Sequence, residues 1–213
     1  MRRRPPSPLP PLPRPAGELL LRNRHRARRV DLRRLRELAL DVLAAQPGLQ
    51  TFELGVQLVA ADEMAAVNET FLDHAGSTDV ITFDYAARPT PSPSQEGNGA
   101  ADVPAVSRES ARPQLAHSPP GRGRGWVRRG GQHLHGEIFI CVDDAVAQAR
   151  EFRTSWQSEL ARYLIHGILH LRGYDDLSAA ARRRMKREEN RLLRWIARQH
   201  PLSRLARRSK LAR

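Results

Sequence analysis

The segment from about residue 87 to residue 132 is the feature that most limits how this chain can fold. It is rich in Pro, Ser, Gly and Arg, shows no hydrophobic periodicity, and contains the sequence GRGRGWVRRGG near its end. Loops of this length without secondary structure are uncommon inside compact domains. The core must therefore come from the segments on either side, and we predict that 87–132 is a disordered insertion between two strands of one domain.

The two ends of the chain limit the domain in the same way. Residues 1–16 (MRRRPPSPLPPLPRPA) are rich in proline, which lacks the N–H group that helix and sheet interiors require, and they predict a disordered leader. We expect a single domain over 17–200 and a basic tail over 201–213. Hydrophobic residues make up 40% of the chain, below the roughly 45–50% of average globular proteins, which agrees with partial folding.

The remaining segments carry strand and helix patterns. Apolar residues alternate strictly from Phe52 to Leu58, which predicts a half-buried strand, and Asp62 is a plausible N-cap for the helix that follows. The expected strands are 18–23, 52–58, 80–83 and 136–142, and the expected helices are 30–46, 62–72, 143–153, 154–171 and 177–199. This order predicts an α/β (α+β) fold, in which a small mixed β-sheet is covered by helices.

The charge of the chain is concentrated at its ends. The formal net charge is +13; residues 2–36 carry +10, residues 181–213 carry +11, and the middle carries −8. Basic ends favour a phosphate-rich partner, although solvated arginine-rich helix faces would give the same pattern. The single cysteine excludes a disulfide framework and favours the cytoplasm, and no apolar run approaches the roughly 20 residues of a membrane span.

The residues with the clearest chemical meaning lie between positions 166 and 176. His166 and His170 are four residues apart in a predicted helix, so both imidazoles project from one face, as in a Zn²⁺ site. Gly173 ends the helix and lets the chain turn back, which can bring Asp176 to the metal as a third ligand. Two core histidines are the alternative for the pair, and neighbouring Asp175 is the alternative for the third ligand.

The spacing His-x₃-His-x₂-Gly-x₂-Asp also suggests a metzincin-like zinc peptidase. Those peptidases carry a glutamate directly after the first histidine as the general base, whereas this chain has Gly167 there. Glycine cannot transfer a proton, so the sequence disfavours a peptidase.

The same segment resembles the HGxLHLxGYDH signature of the YbeY family, bacterial metal-dependent endoribonucleases that cleave single-stranded RNA in rRNA maturation. The matching residues are His166, Gly167, Leu169, His170, Leu171, Gly173, Tyr174 and Asp175. Asp176 stands where the family usually has a third histidine. Two further stretches, Ser77–Phe83 after Asn68 and Phe71, and Gly136–Ile138 before Gln148, resemble other family motifs, but Leu72 replaces a frequent arginine.

This resemblance covers about residues 17–86 and 133–196 and implies a single catalytic domain, and the predicted insertion lies outside it. The resemblance implies one Zn²⁺ per chain, held by His166, His170 and Asp176. It also implies that the protein cleaves rRNA in ribosomal particles, including the 3′ end of the small-subunit rRNA, and takes part in ribosome quality control. It implies RNA rather than DNA as the partner. A non-catalytic, zinc-containing ribosome assembly factor is the other alternative, and such a structural site should have four protein ligands.

Overall fold

A computed structural model describes residues 14–72, 75–86 and 132–207. The strands are β1 (Ala16–Asn23), β2 (Thr51–Val59), β3 (Val80–Asp84) and β4 (His133–Cys141). The helices are α1 (Leu32–Ala44), α2 (Ala61–Leu72), α3 (Val142–Glu151), α4 (Trp156–Leu171) and α5 (Ala179–Gln199), followed by a short 3₁₀ turn over Leu202–Leu205. The predicted leader, apart from its last three residues, and the insertion, apart from Gln132, lie outside the described residues.

The four strands form one mixed sheet in the order β1-β2-β4-β3. β1, β2 and β4 are parallel, and β3 runs antiparallel to β4. The parallel neighbours β1 and β2 are joined through α1, as a parallel connection requires. The predicted α/β (α+β) class with a small mixed sheet is therefore confirmed.

The main core lies between one face of the sheet and helices α1, α4 and α5. The alternation predicted for β2 holds, since Phe52, Leu54, Val56 and Leu58 are all buried in this core. α4 is the central helix: it packs against β3 and β4 and also against α1, α3 and α5. Because α4 packs against the sheet and three other helices, the histidines that it carries have a fixed position within the domain.

The opposite face of the sheet is only partly covered. A smaller buried cluster lies under α2 and includes Met64, Ile81 and Phe83. The predicted N-cap of α2 is wrong, because Asp62 lies within the helix, and Asp143 accepts a hydrogen bond from the backbone N–H of Ala61 instead (3.0 Å). A cap supplied by a residue distant in sequence leaves no local pattern.

The start of the predicted basic tail packs on the domain. Leu205 is 2% exposed and belongs to the main core, and Ala206 forms an isolated antiparallel β-bridge with Val30. Because Val30 takes part in this bridge, α1 begins at Leu32 and is capped by the side chain of Asp31. Among the helices that the structure describes, none is long and apolar enough to cross a membrane.

Candidate metal centre

The two histidines lie one helical turn apart near the end of α4. The Nε2 atoms of His166 and His170 are 3.0 Å apart, and the two rings meet edge to face at 82°. Both side chains are partly exposed, whereas Gly167 and Ile168 between them are buried. The helix therefore presents the two imidazoles together on its solvent-accessible face.

The end of α4 returns the chain to this face. The backbone N–H of Gly173 donates to the carbonyl of His170 (2.8 Å), and the N–H of Tyr174 donates to the carbonyl of Leu169 (3.0 Å). This pair of hydrogen bonds is a Schellman motif, and it requires the left-handed conformation that Gly173 adopts at φ +85°. One ligand atom from each of His166, His170 and Asp176 lies within 4.8 Å of the others.

The orientation of each ring is fixed by its other nitrogen. Nδ1 of His166 lies 3.2 Å from Oε2 of Glu189, and Nδ1 of His170 lies 3.1 Å from the backbone carbonyl of Tyr174. A carbonyl and an ionised carboxylate only accept hydrogen bonds, so both Nδ1 atoms act as donors. In neutral rings both Nε2 lone pairs then point at one another across 3.0 Å, an arrangement that a shared metal cation would stabilise.

Glu189 is a buried carboxylate from α5 that supports the site. It is 3% exposed and also accepts hydrogen bonds from Arg162 (2.6 Å) and Lys186 (2.9 Å). Burial by itself would raise the pKa of this carboxyl, but the hydrogen bonds from His166, Lys186 and Arg162 outweigh it and lower the pKa from 4.5 to about 2. Glu189 is therefore ionised at neutral pH and holds the His166 ring by a charge-assisted bond.

The two neighbouring aspartates of the turn have different surroundings. Asp176 is partly buried and belongs to the cluster with the two histidines. Asp175 is exposed, and its Oδ1 accepts a hydrogen bond from the backbone N–H of Leu177 (3.1 Å). The geometry thus favours Asp176 over Asp175 as the third ligand.

Comparison with known proteins agrees with this site. The family model described as "Endoribonuclease YbeY" matches residues 20–197 of the chain. This chain belongs to the YbeY endoribonuclease family. Among curated relatives named endoribonuclease YbeY, that of Salinibacter ruber is 28% identical, over 82% of this chain and 89% of its own length, and that of Anaeromyxobacter sp. is 32% identical, over 82% and 69%.

A solved structure also has this fold. The solution structure of TM1509 from Thermotoga maritima aligns with a TM-score of 0.50 at 20% identity, covering 92% of this chain and 99% of that protein. The resemblance to YbeY inferred from the HGILHLRGYD segment is confirmed, and so is the enzyme class, a hydrolase that cleaves RNA internally. YbeY is a metal-dependent family, and among the residues that the structure describes the His/Asp cluster is a group that could bind the metal.

The position that distinguishes this YbeY chain from a metzincin peptidase is sterically closed. Gly167 faces the sheet, and a Cβ atom there would lie 2.7 Å from Cγ2 of Ile138, which is fully buried. A glutamate side chain at this position would point toward buried Ile138 of β4 rather than toward the candidate metal ligands. The absence of the peptidase base therefore follows from the close packing of α4 on the sheet.

We expect Gly167→Glu to destabilise the fold rather than create a peptidase. The substitution places a charged side chain against Ile138 with no space for it, so the free energy of unfolding should fall by at least about 3 kcal/mol. Chemical denaturation measures this loss. Gln157→Glu, in the partly exposed first turn of α4, is the matched control and should change stability by less than about 0.5 kcal/mol; equal stability of the two variants would contradict the packing argument.

A cleft of ≈ 840 Å³ adjoins the candidate metal centre. Its walls come from the loop before β3 and from α3, α4 and α5, and His166 is one of its lining residues. A volume of this size is within the range of about 300–1,000 Å³ typical of ligand sites. The cleft therefore gives a bound molecule access to one of the candidate metal ligands.

Sequence reasoning singled out the three candidate ligands but missed Glu189, which contacts His166. Glu189 is one of two acidic residues in an arginine-rich helix, yet it occupies the apolar stripe formed by Met185, Leu192 and Ile196. A carboxylate in a buried stripe was the signal that could have identified it, because such a group requires a partner.

Proposed function

We propose that this chain is a zinc-dependent, single-strand-specific endoribonuclease that matures rRNA, including the 3′ end of the small-subunit rRNA, and takes part in ribosome quality control. Its zinc ligands are His166, His170 and Asp176, one ion is bound per chain, and it works on ribosomal particles in the cytoplasm. The observation that carries this proposal is the convergence of these three side chains beside an open cleft.

Three protein ligands suit a catalytic zinc ion better than a structural one. Structural zinc sites have four protein ligands, whereas catalytic sites keep one position open for water or substrate. The cluster has three members within the described part of the chain. This number favours the enzyme over the non-catalytic assembly factor.

The chemistry is divided between the ion and the protein. Zinc, when bound, polarises the scissile phosphate or activates water. The protein positions the ligands: Glu189 orients the His166 ring, and the carbonyl of Tyr174 orients the His170 ring. Such supporting bonds fix the tautomer that leaves Nε2 as the ligand atom.

The exposed face of α5 supports RNA binding. It carries a row of exposed arginines: Arg182, Arg183, Arg184, Arg187, Arg191, Arg194 and Arg198. Contacts between such side chains and phosphates release counterions, so binding of RNA should weaken steeply as salt rises. The chemistry fits a long single-stranded polyanion such as rRNA.

The test uses the purified full chain with a precursor of the small-subunit rRNA. We expect endonucleolytic cleavage near the 3′ end, loss of cleavage after chelation, and its recovery on addition of zinc. Single-stranded DNA and a fully paired RNA duplex are the controls and should remain intact. Cleavage that continues after chelation, or zinc-loaded protein that leaves every single-stranded RNA intact, would contradict the proposal.

The choice between the two aspartates of the turn has its own test. We expect Asp176→Ala to lower zinc affinity by at least about tenfold and Asp175→Ala to leave it nearly unchanged, because only Asp176 lies within reach of both histidines. Asp176→His should retain a zinc site, since histidine also supplies one donor atom from that position. Competition with a chromogenic chelator measures the affinities, and loss of zinc in the Asp175 variant alone would reverse the assignment.

A further inference from the structure

The part of the cleft one turn before His166 has features that the metal centre does not use. Tyr163 precedes His166 by three residues on α4, so the two side chains lie on neighbouring parts of one helix face. Tyr163 lines the cleft together with Asp79, Asp144 and the exposed ring of Phe152. Tyr163 lies on α4 and Asp144 on α3, Asp79 directly precedes β3, and Phe152 directly follows α3.

The hydroxyl of Tyr163 has no hydrogen-bond partner among the residues that the structure describes. The side chain is 95% buried, with a relative exposure of 5%, and its oxygen pairs with no group in the described part of the chain. Burial and the nearby carboxylates of Asp79, Glu159 and Asp144 raise the pKa of this phenol above its ordinary value, so the hydroxyl stays protonated. Buried polar groups in native proteins nearly always have a partner, so we expect this hydroxyl to pair with a group that enters the cleft.

Two carboxylates of the same wall have unused acceptor capacity. Neither Asp79 nor Asp144 forms an ion pair with any residue that the structure describes, in contrast to Glu159 and Glu189, which both pair with Arg162. The hydroxyl of Ser77 donates to Oδ1 of Asp144 (3.3 Å), and an ionised carboxylate accepts about four hydrogen bonds. The wall therefore favours a ligand that donates hydrogen bonds and disfavours a phosphate.

Phe152 adds an aromatic surface to this wall. Phe152 is 61% exposed, more than Tyr85 (39%) or Phe71 (38%), the other exposed aromatic residues in the described part of the chain. Exposed aromatic rings in clefts of RNA-binding proteins stack on unpaired bases, because every base has a π-face. A flat ligand with hydrogen-bond donors on its edge would match both the ring of Phe152 and the carboxylates of Asp79 and Asp144.

We propose that Asp79, Asp144, Phe152 and Tyr163 form a subsite for one nucleobase of the single-stranded RNA, and that this subsite takes a base with an exocyclic amino group in preference to uracil. The inference rests on the proposed function and deepens it. Cytosine, adenine and guanine each donate hydrogen bonds from an exocyclic amino group. Uracil has no such group and presents one N–H with a carbonyl on each side. Carboxylates accept hydrogen bonds from an amino group, and they repel the carbonyl oxygens of uracil.

The first test compares two oligonucleotides that differ in one base. An oligouridine with one central cytidine should be cleaved next to that cytidine with a kcat/KM about tenfold above that of the all-uridine oligomer, the size expected for one hydrogen bond to a charged acceptor. Asp144→Asn and Tyr163→Phe should bring this ratio to within about threefold of one. Glu69→Gln, an exposed charge-matched change on α2 outside the cleft, should keep it. A ratio near one in the wild-type chain would overturn the subsite. A ratio that stays at the wild-type value in both Asp144→Asn and Tyr163→Phe would overturn it as well.

The second test separates the subsite from the nuclease activity. Binding of cytidine and uridine monophosphates to the zinc-loaded full chain, followed by NMR chemical shifts, should favour the cytidine nucleotide by about tenfold, and Phe152→Ala should weaken its binding by about tenfold. This preference without cleavage of any RNA would support the subsite while refuting the proposed function. Equal binding of the two nucleotides would refute the subsite even if RNA is cleaved.

A stability measurement separates a binding role of Tyr163 from a structural one. Because its hydroxyl has no partner to lose within residues 14–72, 75–86 and 132–207, Tyr163→Phe should leave the melting temperature unchanged or slightly higher. A marked fall in melting temperature would show that the hydroxyl supports the fold, and it would overturn the assignment.

Discussion

Replacing His170 by alanine is expected to abolish most zinc binding and to reduce RNA cleavage by at least about a hundredfold. His170 is one of only three candidate ligands in the cluster that the described residues form, and its Nε2 faces that of His166 at 3.0 Å. Loss of one ligand from three leaves a poor chelate, and changes of merely supporting residues already cost about 10–100-fold in metal affinity. His166→Ala should have an effect of the same size.

The measurement is zinc content of the purified variants by mass spectrometry, alongside cleavage of single-stranded RNA. His135→Ala is the matched control, because His135 is partly exposed on the other face of the sheet and pairs only weakly with Glu53 (3.6 Å). This control should retain both zinc and activity. Full zinc content in both cluster variants would show that the metal lies elsewhere.

The local features of this fold were predictable because they depend on residues close in sequence. The alternation from Phe52 to Leu58 predicted one of the two inner strands, and the His166–His170 spacing placed two candidate ligands on one helix face. Gly173 predicted the turn, since few other residues adopt φ +85° without strain. These patterns need no knowledge of distant contacts.

The remaining features depend on contacts between residues far apart in sequence. The cap of α2 comes from Asp143, 82 positions after Ala61, and the ring of His166 is oriented by Glu189 from another helix. Hydrophobic periodicity gives the faces of helices and strands but not their partners. For the same reason it could not show that a cleft runs beside His166, or that the hydroxyl of Tyr163 is buried there.

Glu189 carries the second large effect that we expect. Glu189→Ala should lower the free energy of unfolding by about 3 kcal/mol, because it removes the acceptor of Arg162, Lys186 and His166 at a buried position. Zinc affinity should fall by about 10–100-fold, because the His166 ring loses its support. Glu188→Gln, one position earlier, changes a surface pair with Arg191 and should cost less than about 1 kcal/mol.

The acid stability of the chain tests the same carboxylate independently of zinc. The folded-state pKa of Glu189 is about 2 against an ordinary value of 4.5, so its ionised form stabilises the fold above pH 4.5, and this contribution is lost as the pH falls toward 2. A difference of this size corresponds to about 3 kcal/mol. In chelator-treated protein, the stability advantage of the wild-type chain over Glu189→Gln should therefore shrink steadily between pH 4.5 and pH 2. Parallel curves over this range would show that the buried carboxylate is not held by its hydrogen bonds from Arg162, Lys186 and His166, and the support that we assign to the His166 ring would fail with it.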